Sequence, residues 1–182
     1  IQKRGWKHEI GVGEAAFYGP KLDFIFKDVI GRDWQLSTIQ LDMNLPQRFN
    51  LEYTDSDSSK KAPVVIHRAI LGSTERFLGI LIEHFGGAFP AWLAPVQVKI
   101  IPISEKHISY AEKIKKDLAG FRTEVDADNE SLGKKIRNAE KEKVPFLAIV
   151  GDKEMESRQI RLREHGGKDH GSVSIEQLKA ML

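Results

Sequence analysis

Pro90 and Pro95 bracket the short apolar segment Ala91-Trp92-Leu93-Ala94, and the hydrophobic pattern before this segment differs from the pattern after it. Proline fixes φ and donates no backbone hydrogen bond, so neither a helix nor a central strand runs through such a stretch. A chain of 182 residues interrupted near its middle has room for two modest hydrophobic cores. The expected division is into residues 1–93 and 94–182.

Ahead of the prolines the periodicity is that of strands. Leu22 to Lys27 and Trp34 to Leu41 are rich in β-formers, and Asp28-Val29-Ile30-Gly31-Arg32-Asp33 between them supplies turn chemistry, so the pair predicts an antiparallel hairpin. Strict alternation places Gln35, Ser37 and Ile39 on one face and Leu36, Thr38 and Gln40 on the other. Thr54 to Lys61 is expected as a solvated loop and Pro63 to Leu71 as a strand ending at Gly72. Arg76 to Phe85 is expected as an amphipathic helix stopped by Gly86-Gly87. After Pro95, strands and helices alternate: strand at 96–103, helix at 106–118, strand at 122–125, helix at 132–143, strands at 145–150 and 157–163, helix at 174–182. The whole is an α/β (α+β) chain, its second half built of βαβ units around a mixed sheet.

Composition narrows the function classes. Hydrophobic residues make up 41% and charged residues 30%, the balance of an ordinary globular chain. The absence of Cys excludes disulfides and thiolate metal ligands within the chain. No apolar run approaches the roughly 20 residues needed to cross a bilayer, so a cytoplasmic location without membrane attachment is expected. A net charge of +2 does not announce a nucleic-acid binder, and any such function has to use local placement of charge. The opening Ile1 reads as the interior of a longer chain.

Five places could carry chemistry. The segment Gly13 to Lys21 offers a phenol at Tyr18 and an amine at Lys21, and is either a bare loop entering the hairpin or a ligand-holding turn. Gln35, Thr38 and Gln40 sit on a largely apolar strand and either face solvent or line a polar pocket, because a buried polar group left unpaired costs about 1–3 kcal/mol. His67 is a solitary imidazole in an apolar run, more often a hydrogen-bonded residue than a metal ligand. In Gly72-Ser73-Thr74-Glu75-Arg76, Ser73 reads as an N-cap and Arg76 as a guanidinium able to hold a phosphate; the two readings are compatible. Residues 129–143 carry basic groups that could meet a phosphate backbone, but the interleaved Glu residues make a solvated helix the default.

Taken in order, these words resemble a known family. Ala16-Phe17-Tyr18-Gly19-Pro20-Lys21, then Trp34-Gln35 with Thr38-Ile39-Gln40-Leu41-Asp42, then His67-Arg68-Ala69-Ile70-Leu71-Gly72-Ser73 with Glu75-Arg76-Phe77, and finally Trp92-Leu93-Ala94-Pro95-Val96-Gln97, resemble the threonyl-tRNA synthetases of class IIa. The resemblance implies that residues 1–93 are the C-terminal part of a class II aminoacylation domain, including its motif 3, and that residues 94–182 are an anticodon-binding domain. It implies ATP-dependent activation of threonine and its transfer to tRNA(Thr) by a homodimeric ligase that uses Mg2+ and Zn2+. Arg76, Lys21 and Gln40 would be catalytic, Tyr18, Gln35 and Thr38 would bind substrate, and His67 would be a zinc ligand completed by a Cys and a His upstream. Ile103, Asn129, Lys143, Glu154 and Arg163 would surround the guanine and uracil of the anticodon, with Lys143 standing where relatives commonly have Arg. The chain lacks the family's motifs 1 and 2, so it is expected to be inactive alone. The alternative is a non-catalytic tRNA-binding protein derived from a synthetase.

Overall fold

The computed structural model describes all 182 residues, which form two compact units, Ile1–His84 and Phe85–Leu182. The Pro90–Pro95 segment packs within the second: the Arg122 guanidinium donates to the carbonyls of Ala91, Trp92 and Ala94. The Leu93 and Ala94 N–H groups both donate to the Pro90 carbonyl, at 2.9 and 3.0 Å, so backbone and guanidinium bonds together hold the turn.

In the first unit, β1 (Lys21–Lys27) and β2 (Asp33–Asp42) form the expected hairpin. A short helix α1 (Leu45–Arg48) follows. The stretch expected as a loop is instead a small hairpin, β3 (Tyr53–Thr54) with β4 (Lys60–Lys61). Asp55 and Asp57 take the N–H groups of Ser56 and Ser59, so the polar residues that suggested a loop are the turn of the hairpin. Strand β5 (Val65–Ala69) pairs antiparallel with β2, giving the sheet order β1-β2-β5, and α2 (Thr74–Phe85) follows.

The ladder between β1 and β2 is irregular. Phe24 pairs with Ser37 and Ile25 with Gln35, which leaves Leu36 unpaired as a β-bulge. A bulge adds one residue to one strand and so reverses its alternation. Gln35 is therefore on the same face as Thr38 and Gln40, not on the face of Ser37 and Ile39 that strict alternation assigned to it.

The second unit is a five-stranded sheet in the order β10-β9-β8-β6-β7. Its elements are β6 (Val98–Pro102), α3 (Ile108–Asp117), β7 (Thr123–Val125), α4 (Leu132–Lys141), β8 (Phe146–Val150), α5 (Asp152–Ser157), β9 (Ile160–Glu164), β10 (Asp169–Val173) and α6 (Ile175–Lys179). Strands β7, β6 and β8 run parallel, while β9 and β10 are antiparallel additions. Both faces are covered. Val98, Ile100, Ala148, Ile160 and Leu162 pack with Ala111 and Ile114 of α3, with Leu118 just after that helix and with Leu178 of α6. Ile101, Leu147 and Ile149 pack with Ala139 of α4 and with Val144. Double burial explains the unbroken apolar runs of β6 and β8. Helix α5 occupies the start of the strand expected at 157–163; its signal is Gly151 followed three residues later by Glu154, whose carboxylate caps the Gly151 N–H at 2.9 Å.

Leu162 is fully buried in the larger cluster. Leu162→Ala is expected to lower the unfolding free energy of the second unit by about 2–5 kcal/mol in urea titration, with the midpoint moving and the slope unchanged.

Candidate active site and anticodon edge

The site in the first unit is built by register. Lys21, Gln40 and His67 are direct cross-strand partners, and beside them Asp23 pairs with Thr38 and Thr38 with Ala69. Residues two apart on a strand share a face, and the bulge adds Gln35 to it. Six polar side chains thus stand together on one side of a three-stranded sheet. Tyr18, in the turn before β1, donates its hydroxyl to Gln40 Oε1 at 2.7 Å, and its ring lies edge-on to that of His67 at 5.9 Å. Of the two readings open for Gln35, Thr38 and Gln40, neither holds alone: Gln35 is exposed, Thr38 and Gln40 are half-buried, and all three are hydrogen-bonded within this open polar face.

Two carboxylates organise this surface. Asp23 accepts from Gln35 Nε2 and from Thr38 Oγ1, each at 2.7 Å, and from Lys21 Nζ. Partial burial opposes ionisation of Asp23, but the hydrogen bonds from Lys21, Thr38 and Gln35 prevail and hold its carboxyl below the ordinary range. The bond to Asp23 raises the Lys21 ammonium above its ordinary value. Asp42 is fully buried, accepts from the N–H groups of Asn44 and Leu45, and lies 2.8 Å from His67 Nε2. Burial again opposes ionisation, and the bonds from His67, Leu45 and Asn44 outweigh it.

Arg76 stands at the sheet margin. Its N–H is capped by Ser73 Oγ at 3.2 Å, which confirms the N-cap, and its Nη1 donates to the Gln35 carbonyl at 3.0 Å. Gly72 takes a left-handed backbone conformation just ahead of α2. At φ +70° it packs against β2, where an added Cβ would lie 2.9 Å from the Leu36 carbonyl oxygen. Arg76 also lines a groove with Arg32, Trp34, Glu75, Gly79, Ile80 and Glu83. Gln35 connects the two places, its carbonyl holding Arg76 and its side-chain amide holding Asp23.

A metal centre cannot be completed from these residues. No group of three or more His, Asp or Glu side chains is disposed to hold an ion, and His67 brings one imidazole already engaged with Asp42.

In the second unit the five residues expected around the anticodon fall at two edges of the sheet. Ile103 follows β6, Asn129 lies in the segment after β7, and Glu154 is in the first turn of α5 after β8, so all three are at the C-terminal ends of the parallel strands. The Ile103 N–H donates to the Val150 carbonyl at 3.0 Å, and an added Cβ on Gly151 would meet Ile103 Cδ1 at 2.7 Å and Glu154 Oε2 at 3.2 Å, so these three residues are in contact. Buried Lys135 braces the same edge, donating to the Asp126 carbonyl at 2.9 Å. Lys143 precedes β8 and donates to the Gly86 carbonyl, and Arg163 pairs with Leu147 near the start of β8, its Nε 3.8 Å from Glu140. Five residues of strand extend about 16 Å. The structure therefore places Ile103 and Glu154 against Gly151 with the Asn129 segment at the same end of the sheet, and Lys143 and Arg163 at the opposite end. Sequence reasoning overlooked Asp23, Asp42 and Lys135; an Asp flanked by Leu22 and Phe24 on a strand was the available signal for the first.

Residues 3–85 match the family model for the tRNA synthetase class II core domain (G, H, P, S and T), and residues 97–182 match that for the anticodon binding domain. The fold is that of a class II aminoacyl-tRNA synthetase core segment followed by an anticodon binding domain. Along its whole length the chain is 54% identical to the threonine–tRNA ligase of Gloeobacter violaceus and 51% identical to that of Deinococcus radiodurans. It spans about 30% of the length of each, 30% and 29% respectively. The solved RNA binding domain of threonyl-tRNA synthetase from Cryptosporidium parvum superposes with a TM-score of 0.89 at 35% identity, over 99% of this chain and 47% of that one. The chain belongs to the threonyl-tRNA synthetase family.

Asp28 anchors the β1–β2 turn, accepting from the N–H groups of Ile30 and Arg32, from Trp34 Nε1 and from the Arg32 guanidinium. Burial opposes its ionisation, but these bonds hold the carboxyl well below its ordinary value of 3.8. The ionised form therefore stabilises the turn above that pH, and the contribution is lost as pH falls through the folded value. Asp28→Asn is expected to melt earlier than wild type at pH 7 and to lose less on acidification to pH 3, read by circular dichroism.

Proposed function

We propose that the polar face of the β1-β2-β5 sheet is the adenylation half of a threonine–tRNA ligase and that the C-terminal edge of the second sheet reads the tRNA(Thr) anticodon. The observation that carries this reading is the convergence of Lys21, Gln35, Thr38, Gln40, Tyr18 and His67 on one face, with Arg76 at its margin. These are the residues to which the family resemblance gives catalytic, substrate-binding or zinc-ligating roles.

The proposed chemistry is attack of the threonine carboxylate on the α-phosphorus of ATP with release of pyrophosphate, followed by transfer of the threonyl group from the adenylate to a ribose hydroxyl of the tRNA with release of AMP. Phosphoryl transfer depends on fixed positive charge around oxygens that gain negative charge, and two cations are available. Arg76 is rooted at the first turn of α2 and oriented by the Gln35 carbonyl, in place to hold the far phosphates. Lys21 stands on β1 beside Gln40, close to the reacting carbonyl, while Tyr18 and Thr38 line the amino-acid side. His67 would contribute one imidazole to a zinc ion that selects threonine by its hydroxyl, the other ligands coming from outside this chain. Mg2+ accompanies ATP as part of the substrate complex. The parent enzyme acts in the cytoplasm as a homodimer.

The proposed anticodon site comprises Ile103, Asn129 and Glu154. An exposed apolar side chain, an amide and a carboxylate suit stacking and base-edge hydrogen bonding of splayed single-stranded bases. Lys143 and Arg163, at the other edge, contact the RNA backbone in this proposal instead of the same bases.

The halves separate kinetically. In the parent enzyme, Arg76→Ala is expected to lower ATP–pyrophosphate exchange by about two orders of magnitude while leaving tRNA binding within about twofold. Asn129→Ala and Glu154→Gln are expected to raise the KM for tRNA(Thr) by about tenfold with exchange intact, the loss of one or two base-edge contacts. Wild-type exchange by the Arg76 variant would remove Arg76 from the ATP site, and no exchange by the wild-type parent with tRNA binding retained would support the non-catalytic tRNA-binding alternative.

A further inference from the structure

Asp23 is assigned no role by the family resemblance, yet it binds three side chains of the face, whereas Asp42 binds one side chain and two backbone N–H groups. Its Oδ1 accepts from Gln35 Nε2 and Thr38 Oγ1, both at 2.7 Å, and its Oδ2 accepts from Lys21 Nζ. None of the three donors has a second side-chain partner. The donors come from different places, Lys21 from β1, Thr38 from the regular part of β2 and Gln35 from beyond the bulge. An acceptor-only carboxylate offers about four lone-pair sites and can take all three without competition.

We infer that Asp23 is a positioning residue of the adenylation site, holding Lys21, Gln35 and Thr38 in a single arrangement through one carboxylate. The inference rests on the adenylation reading above. A lysine side chain has several rotatable bonds, and fixing its ammonium before substrate arrives removes an ordering cost from the reacting complex. The same contact sets the amide of Gln35, whose carbonyl holds Arg76, so both proposed cations lie within one hydrogen-bond step of residues that Asp23 orders. The ion pair with Lys21 is half-buried, with side-chain exposures of 22% and 20%, so water competes with it less than on an open surface. Of the neighbouring groups, Glu14 adds a second negative charge near Lys21, and Tyr18 and His67 face it through Gln40.

The test is a double-mutant cycle on ATP–pyrophosphate exchange in the parent enzyme, with Asp23→Asn, Lys21→Ala and the pair. Asparagine keeps the Oδ1 acceptor that serves both Thr38 and Gln35 but not the charge that holds Lys21. The expected result is a fall in kcat of about tenfold for Asp23→Asn, the size of one charge-assisted hydrogen bond, with the KM for threonine within about twofold. The double variant is expected to be no slower than Lys21→Ala alone, because Asp23 acts through Lys21. Losses that multiply, or wild-type exchange by Asp23→Asn beside an impaired Lys21→Ala, overturn the inference and leave the adenylation reading standing. Wild-type exchange by Lys21→Ala overturns both. If Asp23→Asn fails to fold by thermal melt, the cycle is run between Thr38→Val and Lys21→Ala, which share only Asp23; non-additive losses support the inference and additive losses overturn it.

Discussion

The candidate active site exists because three strand backbones lie in one register with a single residue left over. Pairing of Lys21 with Gln40 and of Gln40 with His67 lines up an ammonium, an amide and an imidazole across the sheet. The unpaired Leu36 then turns Gln35 to the same side. Without that surplus residue Gln35 would point with Ser37 and Ile39, and Asp23 would lose one of its donors. Every hydrogen bond on the face presupposes this backbone arrangement, and the side chains refine what the ladder has already brought close.

Much of the architecture could be read from residue order. The alternation of Leu22 to Lys27, the turn chemistry of residues 28–33 and the apolar runs of Val98–Pro102 and Phe146–Val150 each predict their element correctly, because in these segments local propensity and tertiary burial favour the same structure. The failures occur where the two diverge. Asp169–Val173 has one large apolar residue and becomes a strand only because β9 offers an edge to pair with. Residues 54–61 look like a loop because a hairpin this short is mostly turn.

The polar face was legible by family likeness and not by alternation. A bulge has no clear signature in Gln-Leu-Ser-Thr, since no glycine marks it, and a strict two-residue period therefore placed Gln35 on the opposite side. Asp23 and Asp42 went unnoticed for a related reason: an aspartate within a strand looks like an exposed polar position until the cross-strand donors are known. In the second unit, likeness collected five residues by position in the chain, whereas parallel strands collect by direction. Loops that leave the C-terminal ends of β6, β7 and β8 meet at one margin, as ligand-binding loops of parallel sheets do. Residues entering β8 or late in β9 belong to the opposite margin whatever their distance in sequence.

The close seat of Gly72 on Leu36 has a further consequence for how such a chain can change over evolutionary time. The connection into α2 rests against the same residue that breaks the alternation of β2. Losing position 36 would produce a more regular hairpin while removing the support beneath the helix that carries Arg76. Lineages that lengthen or shorten this hairpin are thus constrained to do so at the far turn, around Gly31, where nothing packs against the glycine.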